Sequence, residues 1–375
     1  MISQNDKKFA ADFLERVAKK LTFMAPEIGA NFPNTFGGIW DPKGENADIS
    51  DWTTGFWPGI LWLMYIKTGD EMFKKYAEEC EEKLDRALDL FTEVHHDVGF
   101  VWSLSAVADY KLTGNERSRA RALHAATTLA GRFNLAGRYI RAWNIWHNGK
   151  AIIDSMMNIP ILTWASQAWE DPRFAQIAEA HADTIMKNFV RTDGSVHHMV
   201  DFDPDTGVPV AYPGGQGYGE GSAWSRGQAW AIYGFVQAYL NLGKPEYLEC
   251  AKRVAHYFIA NIEKDSIPLL DFRAPKEPRL YDASAGAIAA CGLIEIAKLV
   301  PEYEVELYEN AIMSLLRGLD KDCNYNENEL NLLSTSSSRY HTEIGHHTPF
   351  IYGDYYLVEA LMKLHGNDGR FTIHN

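Results

Sequence analysis

Hydrophobic and polar positions along this chain alternate between two kinds of segment. The first kind is amphipathic at helical spacing. Phe9, Phe13, Val17 and Leu21 recur at every fourth position, and Phe73, Tyr76, Ala77, Cys80, Leu84 and Leu88 form a second such stripe. The second kind is apolar nearly all round, as in residues 56–68, which carry Phe56, Trp57, Ile60, Leu61, Trp62 and Leu63. A helix that is apolar on every side must be enclosed by protein. The pattern predicts amphipathic helices over 7–25, 71–91, 116–133, 173–190, 246–262 and 302–317. It predicts apolar helices over 56–68, 100–113, 151–168, 226–242, 284–300 and 353–365.

Six of each kind in strict alternation predict an inner ring of helices wrapped by an outer ring. The expected fold is therefore all-α, an (α/α)6 barrel, with residues 1–375 forming one domain. The links have a polarity. Those from an apolar helix to the next amphipathic one are short and carry breaking or capping signals: Thr68-Gly69-Asp70, Thr113-Gly114-Asn115, Asp171-Pro172 and Gly243-Lys244-Pro245. Those from an amphipathic helix to an apolar one are long. One face thus carries every long loop together with the starts of the inner helices, and function concentrates on such loops. Within 191–225, a hairpin is expected from residues 195–202 and 208–212 about the turn Asp203-Pro204-Asp205-Thr206-Gly207.

Charge narrows the partners. With 36 Lys and Arg against 50 Asp and Glu, the net charge is −14, which argues against nucleic acid and anionic membranes. No apolar run reaches membrane-spanning length. The segment Met1-Ile2-Ser3-Gln4-Asn5-Asp6 has no apolar core of the secretory kind. Cys80, Cys250, Cys291 and Cys323 form no CxxC pair, and Cys80, Cys250 and Cys291 lie in helical patterns as core thiols, so a reducing, cytoplasmic setting is expected. Eleven Trp, many of them in connecting segments, suggest binding walls. Trp62, Trp164 and Trp169 lie within or at the end of predicted inner helices and are expected in the core.

Acidic residues stand at or near the starts of inner helices: Asp51, Asp97, Asp154, Asp282 and Asp354. Capping explains such positions in general. Asp97 and Asp154 fit that explanation least. Asp97 lies between a His pair and Gly-Phe, and Asp154 heads the apolar stretch 151–160. Two carboxyls sharing a partly dry pocket suit glycosidic chemistry, because like charges push one pKa up. The pairs His95-His96, His197-His198 and His346-His347 invite a metal reading. No HExxH or His/Cys ligand spacing is present, and adjacent His on a strand point to opposite faces, so no metal is expected. An acidic sugar suits Arg226 and His198 better, since Arg pairs bidentately with carboxylates. The Gly-rich run 214–221 does not follow the phosphate-loop pattern.

At these residues the chain resembles the unsaturated glucuronyl hydrolases of glycoside hydrolase family 88. The resemblance lies in Asp51-Trp52-Thr53-Thr54-Gly55-Phe56-Trp57, His95-His96-Asp97-Val98-Gly99-Phe100 and Ile152-Ile153-Asp154-Ser155-Met156-Met157-Asn158. It continues through Ser222-Ala223-Trp224-Ser225-Arg226-Gly227-Gln228-Ala229-Trp230, Asp282-Ala283-Ser284-Ala285 and Tyr352-Gly353-Asp354-Tyr355-Tyr356. It implies the same barrel and a particular reaction: hydration of the vinyl ether of a 4,5-unsaturated uronic acid at the non-reducing end of lyase-generated glycosaminoglycan oligosaccharides. It implies Asp154 as general acid/base and Asp97 as the group that holds substrate and supports that proton transfer. Trp52 and Trp143 would pack on the sugar, and His198, Gln216, Arg226 and Trp230 would bind the uronate or its hydroxyls. It implies no metal and no organic cofactor. Two departures stand out: Gly215-Gln216-Gly217 where the family often reads His-Gln-Gly, and Ser155 where some relatives carry Cys. The run Ser334 to Arg339 is either a contact to the neighbouring sugar or a sulfate, or a polar surface loop.

Other readings of the same barrel are an unsaturated rhamnogalacturonyl hydrolase, a sugar epimerase or isomerase using His as acid and base, and a sugar-binding barrel without turnover. The oligomeric state is left open by the sequence.

Overall fold

The computed structural model describes residues 3–145 and 148–366. Six outer helices run over Gln4–Ile28, Glu71–Leu90, Glu116–Ala130, Pro172–Phe189, Pro245–Asn261 and Glu302–Asp322. Five inner helices are Phe56–Thr68, Pro160–Trp169, Ser225–Leu242, Ala283–Leu299 and Ile351–Leu364. The remaining one is composite: Val98–Trp102 and Ala108–Thr113 are joined by a π-helical turn, Ser103–Val107. Each inner helix packs on the next, and the last packs on the first, so the ring closes. This is the (α/α)6 barrel expected from the pattern. No helix among the described residues is long and apolar enough to cross a membrane.

The elements start and stop for local reasons. Asp70, Asn115 and Asp171 are N-caps, each accepting a hydrogen bond from a backbone N–H two residues on. Gly69, Gly114 and Gly243 end three inner helices in the left-handed conformation, which glycine adopts without strain. The inner helices bury aromatic bulk. Phe56, Trp57, Trp62 and Trp102 are enclosed, as are Trp230, Tyr233 and Tyr355. Cys80, Cys250 and Cys291 are buried free thiols, as expected, whereas Cys323 is half-buried. Trp164 is buried, but Trp169 is 46% exposed at its helix end and is not the core residue that the pattern predicts.

Two predicted features change. The stretch 151–168 is not one helix. Lys150–Ile152 is a strand, Ile153–Met157 a 3-10 turn, and the α-helix begins at Pro160. The strand pairs antiparallel with Met199–Phe202, which pairs in turn with Pro209–Ala211. The expected hairpin is therefore two strands of a three-stranded sheet. Pairing with a partner some fifty residues away overrides the helical reading of Ile152-Ile153. Asp354 also departs from capping. It lies inside the first turn of its helix, and its carboxylate accepts the Leu332 and Leu333 N–H groups at 2.9 and 2.8 Å, tying the last long loop to the inner ring.

Candidate active site

The long loops meet around a cavity of about 300 Å³ at the inner-helix starts. Its walls are Trp52, His95, Asp97, Trp143, Ile152, Asp154, His198, Met199, Gly215, Gln216 and Arg339. These come from five different long loops, some at the start of an inner helix or in the sheet, others, such as Trp143, Gln216 and Arg339, in irregular loop. Six of the eight predicted site residues thus share one cavity: Asp97, Asp154, Trp52, Trp143, His198 and Gln216. Arg226 and Trp230 are not on its wall.

Asp154 sits in the 3-10 turn Ile153–Met157, whose entry is fixed by the strand before it. Its side chain is 14% exposed, and Oδ2 has no hydrogen-bond partner among the described residues. Burial pushes its pKa up to about 7, against the opposing pull of the Arg226 charge. The turn itself is braced from behind. The Ile140 N–H donates to His181 Nδ1 at 2.9 Å, so His181 Nε2 carries the proton toward Ser155 Oγ at 2.7 Å. Ser155 then donates to the Ile152 carbonyl at 2.5 Å. In the sequence His181 is only one member of an amphipathic stripe; its distance of 26 residues from Ser155 hides the contact.

Asp97 stands before the composite inner helix but makes no side-chain cap. Asn158 places it: the amide Nδ2 donates to Asp97 Oδ1 at 2.9 Å, while its Oδ1 accepts the Phe100 N–H at 2.7 Å. Two inner-helix starts are thereby stitched together. The approach requires Gly99, since a Cβ there would lie 2.4 Å from Asn158 Cα. Burial, then the charge of Asp154, holds the Asp97 pKa well above the carboxylate range. The Asp154 charge thus reaches Asp97 in a dry setting.

His198 is held by Trp224, with ring centroids 4.3 Å apart, and by the Gln216 N–H, which donates to Nδ1 at 2.9 Å. Nε2 therefore carries the proton, 3.8 Å from Asp154 Oδ2. Burial and the nearby Arg226 charge push its pKa down to about 3, so it stays neutral. Gly215 makes this contact possible: its φ is +63°, and a Cβ would lie 2.0 Å from His198 Nδ1. The departure at Gly215-Gln216-Gly217 is thus a packing feature of this pocket.

Trp52 packs against Tyr352 at 4.8 Å and Phe100 at 5.5 Å, offering an aromatic wall. Trp143 stands edge-on to His96 at 6.1 Å. Gln216 donates through Nε2 to the Ser338 carbonyl at 2.7 Å.

Arg226 lies behind the cavity wall, where its charge still bears on Asp154 and His198. It is 2% exposed and forms a buried ion pair with Asp282. It also donates to Ser284 Oγ at 3.1 Å and to the Ser337 and Ser338 carbonyls at 3.2 and 3.0 Å. Its guanidinium is thus turned to the loop before the last inner helix rather than to the cavity. Trp230 is fully enclosed, packed on Phe100 at 5.2 Å, with its side chain bearing on the Asp154 carboxyl from behind the wall. Among the described residues, the cation that lines the cavity is Arg339, next to Ser338 on the loop that Arg226 anchors. Sequence reasoning misses Ile152, Met199 and Asn158. Ile152 and Asn158 stand in the motif around Asp154, but their apolar or amide character assigns them no role without the fold.

The comparisons with known proteins agree with this geometry. The model of Glycosyl Hydrolase Family 88 matches residues 29–266. The chain is 38% identical over 349 residues to an unsaturated glucuronyl hydrolase of Bacillus sp. strain GL1, covering 90% of this chain and 92% of that protein. It is 37% identical over 329 residues to an unsaturated chondroitin disaccharide hydrolase of Streptococcus pyogenes serotype M1, covering 85% and 82%. The crystal structure of the Bacillus sp. GL1 enzyme, described as responsible for the degradation of glycosaminoglycan, superposes with a TM-score of 0.85 at 34% identity, covering 96% of each chain. A barrel of this form, a paired-carboxyl cavity at its long-loop face and matches of this extent establish that the chain belongs to glycoside hydrolase family 88, among the unsaturated glucuronyl hydrolases.

Proposed function

We propose that the protein releases 4,5-unsaturated glucuronic acid from the non-reducing end of lyase-generated glycosaminoglycan oligosaccharides by hydrating the C4=C5 vinyl ether. The observation that carries this is the pair Asp97 and Asp154: two buried carboxyls with raised pKa values on one aromatic-walled cavity. A carboxyl with a pKa near 7 keeps a proton to give at neutral pH.

In this reading Asp154 protonates C4 while water adds its oxygen to C5, and the proton lost by that water returns to the Asp154 carboxylate. The product is a hemiketal at C5. Its C5–O5 bond breaks, leaving a ketone at C5 and a hemiacetal at C1 that expels the neighbouring sugar. Asp97, fixed by Asn158, holds the substrate and supports the proton transfer. Trp52 and Trp143 pack on the sugar face. His198 Nε2–H and Gln216 donate to its oxygens. Arg339 faces the acidic group of the substrate or a sulfate on the next sugar, while Arg226 and Trp230 set the wall behind.

The isomerase reading needs a histidine that takes and gives protons near neutrality. The cavity histidines His95 and His198 are held at about 4 and about 3, chiefly by burial, which disfavours it. Four free thiols, three of them buried, suit a reducing, cytoplasmic site of action.

The test is loss of the ultraviolet absorbance of the conjugated alkene. Unsaturated chondroitin, hyaluronan and heparin disaccharides, with unsaturated galacturonyl-rhamnose beside them, form the panel. Turnover of one or more glucuronyl substrates supports the reading. Turnover of the galacturonyl substrate alone moves it to the pectin-derived class, and binding without absorbance loss refutes an enzyme.

A further inference from the structure

His95 and His96 do not behave as neighbours on a strand. They occupy the bend ahead of the inner helix Val98–Trp102, and their rings lie side by side, centroids 5.4 Å apart and planes 28° from parallel. Both aim a nitrogen at the same carboxylate oxygen. His95 Nδ1 is 3.4 Å from Asp97 Oδ2, and His96 Nε2 is 3.3 Å from it. All three donor atoms lie within 4.8 Å of one another.

These separations are long for hydrogen bonds but suit ligands sharing an ion; the one bond that His95 Nδ1 accepts, from the Asp97 N–H, is also long at 3.5 Å, and an ion would replace it. With metal–ligand bonds of about 2.0–2.1 Å, the edge of a tetrahedron is about 3.3–3.4 Å. His96 supplies a second observation. It is fully buried, yet neither ring nitrogen has a hydrogen-bond partner among the described residues. A buried imidazole normally satisfies at least one of them. Asp97 Oδ1 is taken by Asn158, which leaves Oδ2 for another partner. His95 and Asp97 both line the cavity, so an ion can enter from it and keep a fourth position open there. Arg132 is the cation that bears on all three residues. Its guanidinium is turned away, donating to the Arg141 and Ala142 carbonyls and to Asn144 Oδ1.

We propose that His95 Nδ1, His96 Nε2 and Asp97 Oδ2 form a binding site for a divalent transition-metal ion of the Zn2+ class, and that its occupancy inhibits the enzyme by tying up Asp97. Two imidazoles and one carboxylate select Zn2+ or Co2+ over the hard cations Mg2+ and Ca2+, which want oxygen ligands. The ion is an inhibitor, not a participant in alkene hydration. The inhibitory half rests on the role given to Asp97 above; the site itself does not.

Chelator-stripped protein titrated with Co2+ tests both halves. One equivalent per chain should bind with the intense visible absorption of tetrahedral cobalt, and Zn2+ should displace it. The rate of absorbance loss on substrate should fall in step with occupancy and recover with chelator. His96→Gln should lose the visible signal, as should the near-isosteric Asp97→Asn, which preserves packing if the histidine variant fails to fold. His347→Gln, at an exposed histidine on another loop, should keep it. A cobalt spectrum that is absent at stoichiometric metal, or that survives both His96→Gln and Asp97→Asn, overturns the site. Full activity in the cobalt-saturated protein overturns the inhibitory half. No turnover by metal-free protein would instead refute the hydrolase reading, with the cobalt spectrum still readable.

Discussion

Replacing Asp154 by Asn should abolish turnover and at the same time make the folded protein more stable at alkaline pH. The Asp154 carboxyl titrates at 3.8 in an unfolded chain and is raised to about 7 in the folded one, chiefly by burial. Below about pH 4 it is neutral in both states and has no effect. Between about 4 and 7 the unfolded chain ionises while the folded site keeps its proton, so stability falls as pH rises. Above about 7 the full penalty is present: roughly three pH units at 1.36 kcal/mol each, or about 4 kcal/mol. Asn has nearly the same shape and no charge, so it escapes that penalty. At about 2.1 cal/mol/K per residue, a chain of this length unfolds with an entropy near 0.8 kcal/mol/K, and 4 kcal/mol corresponds to about 5 °C in Tm. Melting curves followed by circular dichroism at pH 4.5 and pH 8.5, for parent and variant, read the difference directly. The variant should gain at the higher pH and little at the lower. Equal gains at both pH values, or a loss at pH 8.5, would refute the claim that Asp154 is held as a buried, poorly solvated acid.

Turnover of the parent enzyme should fall about tenfold per pH unit above about pH 7, as Asp154 loses the proton it must deliver; a pH–rate profile of the absorbance assay measures this. Asn158→Ala should lower kcat strongly, because Asp97 loses its anchor, and should destabilise by about 1–3 kcal/mol by leaving the buried Phe100 N–H unpaired, read by denaturant melts. His181→Phe should cost about 1–3 kcal/mol by orphaning the Ile140 N–H and removing the bond that Ser155 Oγ accepts, and should lower kcat more than it raises KM, because it acts through the turn that carries Asp154. Gly215→Ala should raise KM and destabilise by about 1–2 kcal/mol, since the residue sits at φ +63° and the new methyl displaces His198; unchanged kinetics would remove His198 from the substrate site.

The barrel is legible because its inner helices are apolar on all sides and its short links carry Gly, Pro and Asp at defined positions. Those signals are local, and the features that escape them are non-local. Ile152-Ile153 and Met156-Met157 look continuous with the helical residues up to 168, because the strand at 199–202 that claims Ile152 lies far along the chain. Pro160 is the available signal for a later start, since proline is favoured in the first helical turn. Arg226 reads as a carboxylate binder until Asp282, 56 residues away, is seen to neutralise it. A strand rule sends the His95 and His96 side chains to opposite faces, but the backbone turns there and brings them together. Asp97 and Asp154, the carboxyls proposed for the chemistry, stand out in the sequence because one follows a His pair and the other heads an apolar stretch, settings that capping explains least.

The closed ring leaves the five short links on the face opposite the cavity, while the helix Gln4–Ile28 packs on Ile351–Leu364. Such a circle has no privileged point of entry. A permuted chain opened at Gly69, Gly114 or Gly243, with its original ends tethered, would keep every long loop intact and carry the same cavity. The order in which the chain visits the ring is thus separable from the chemistry it supports.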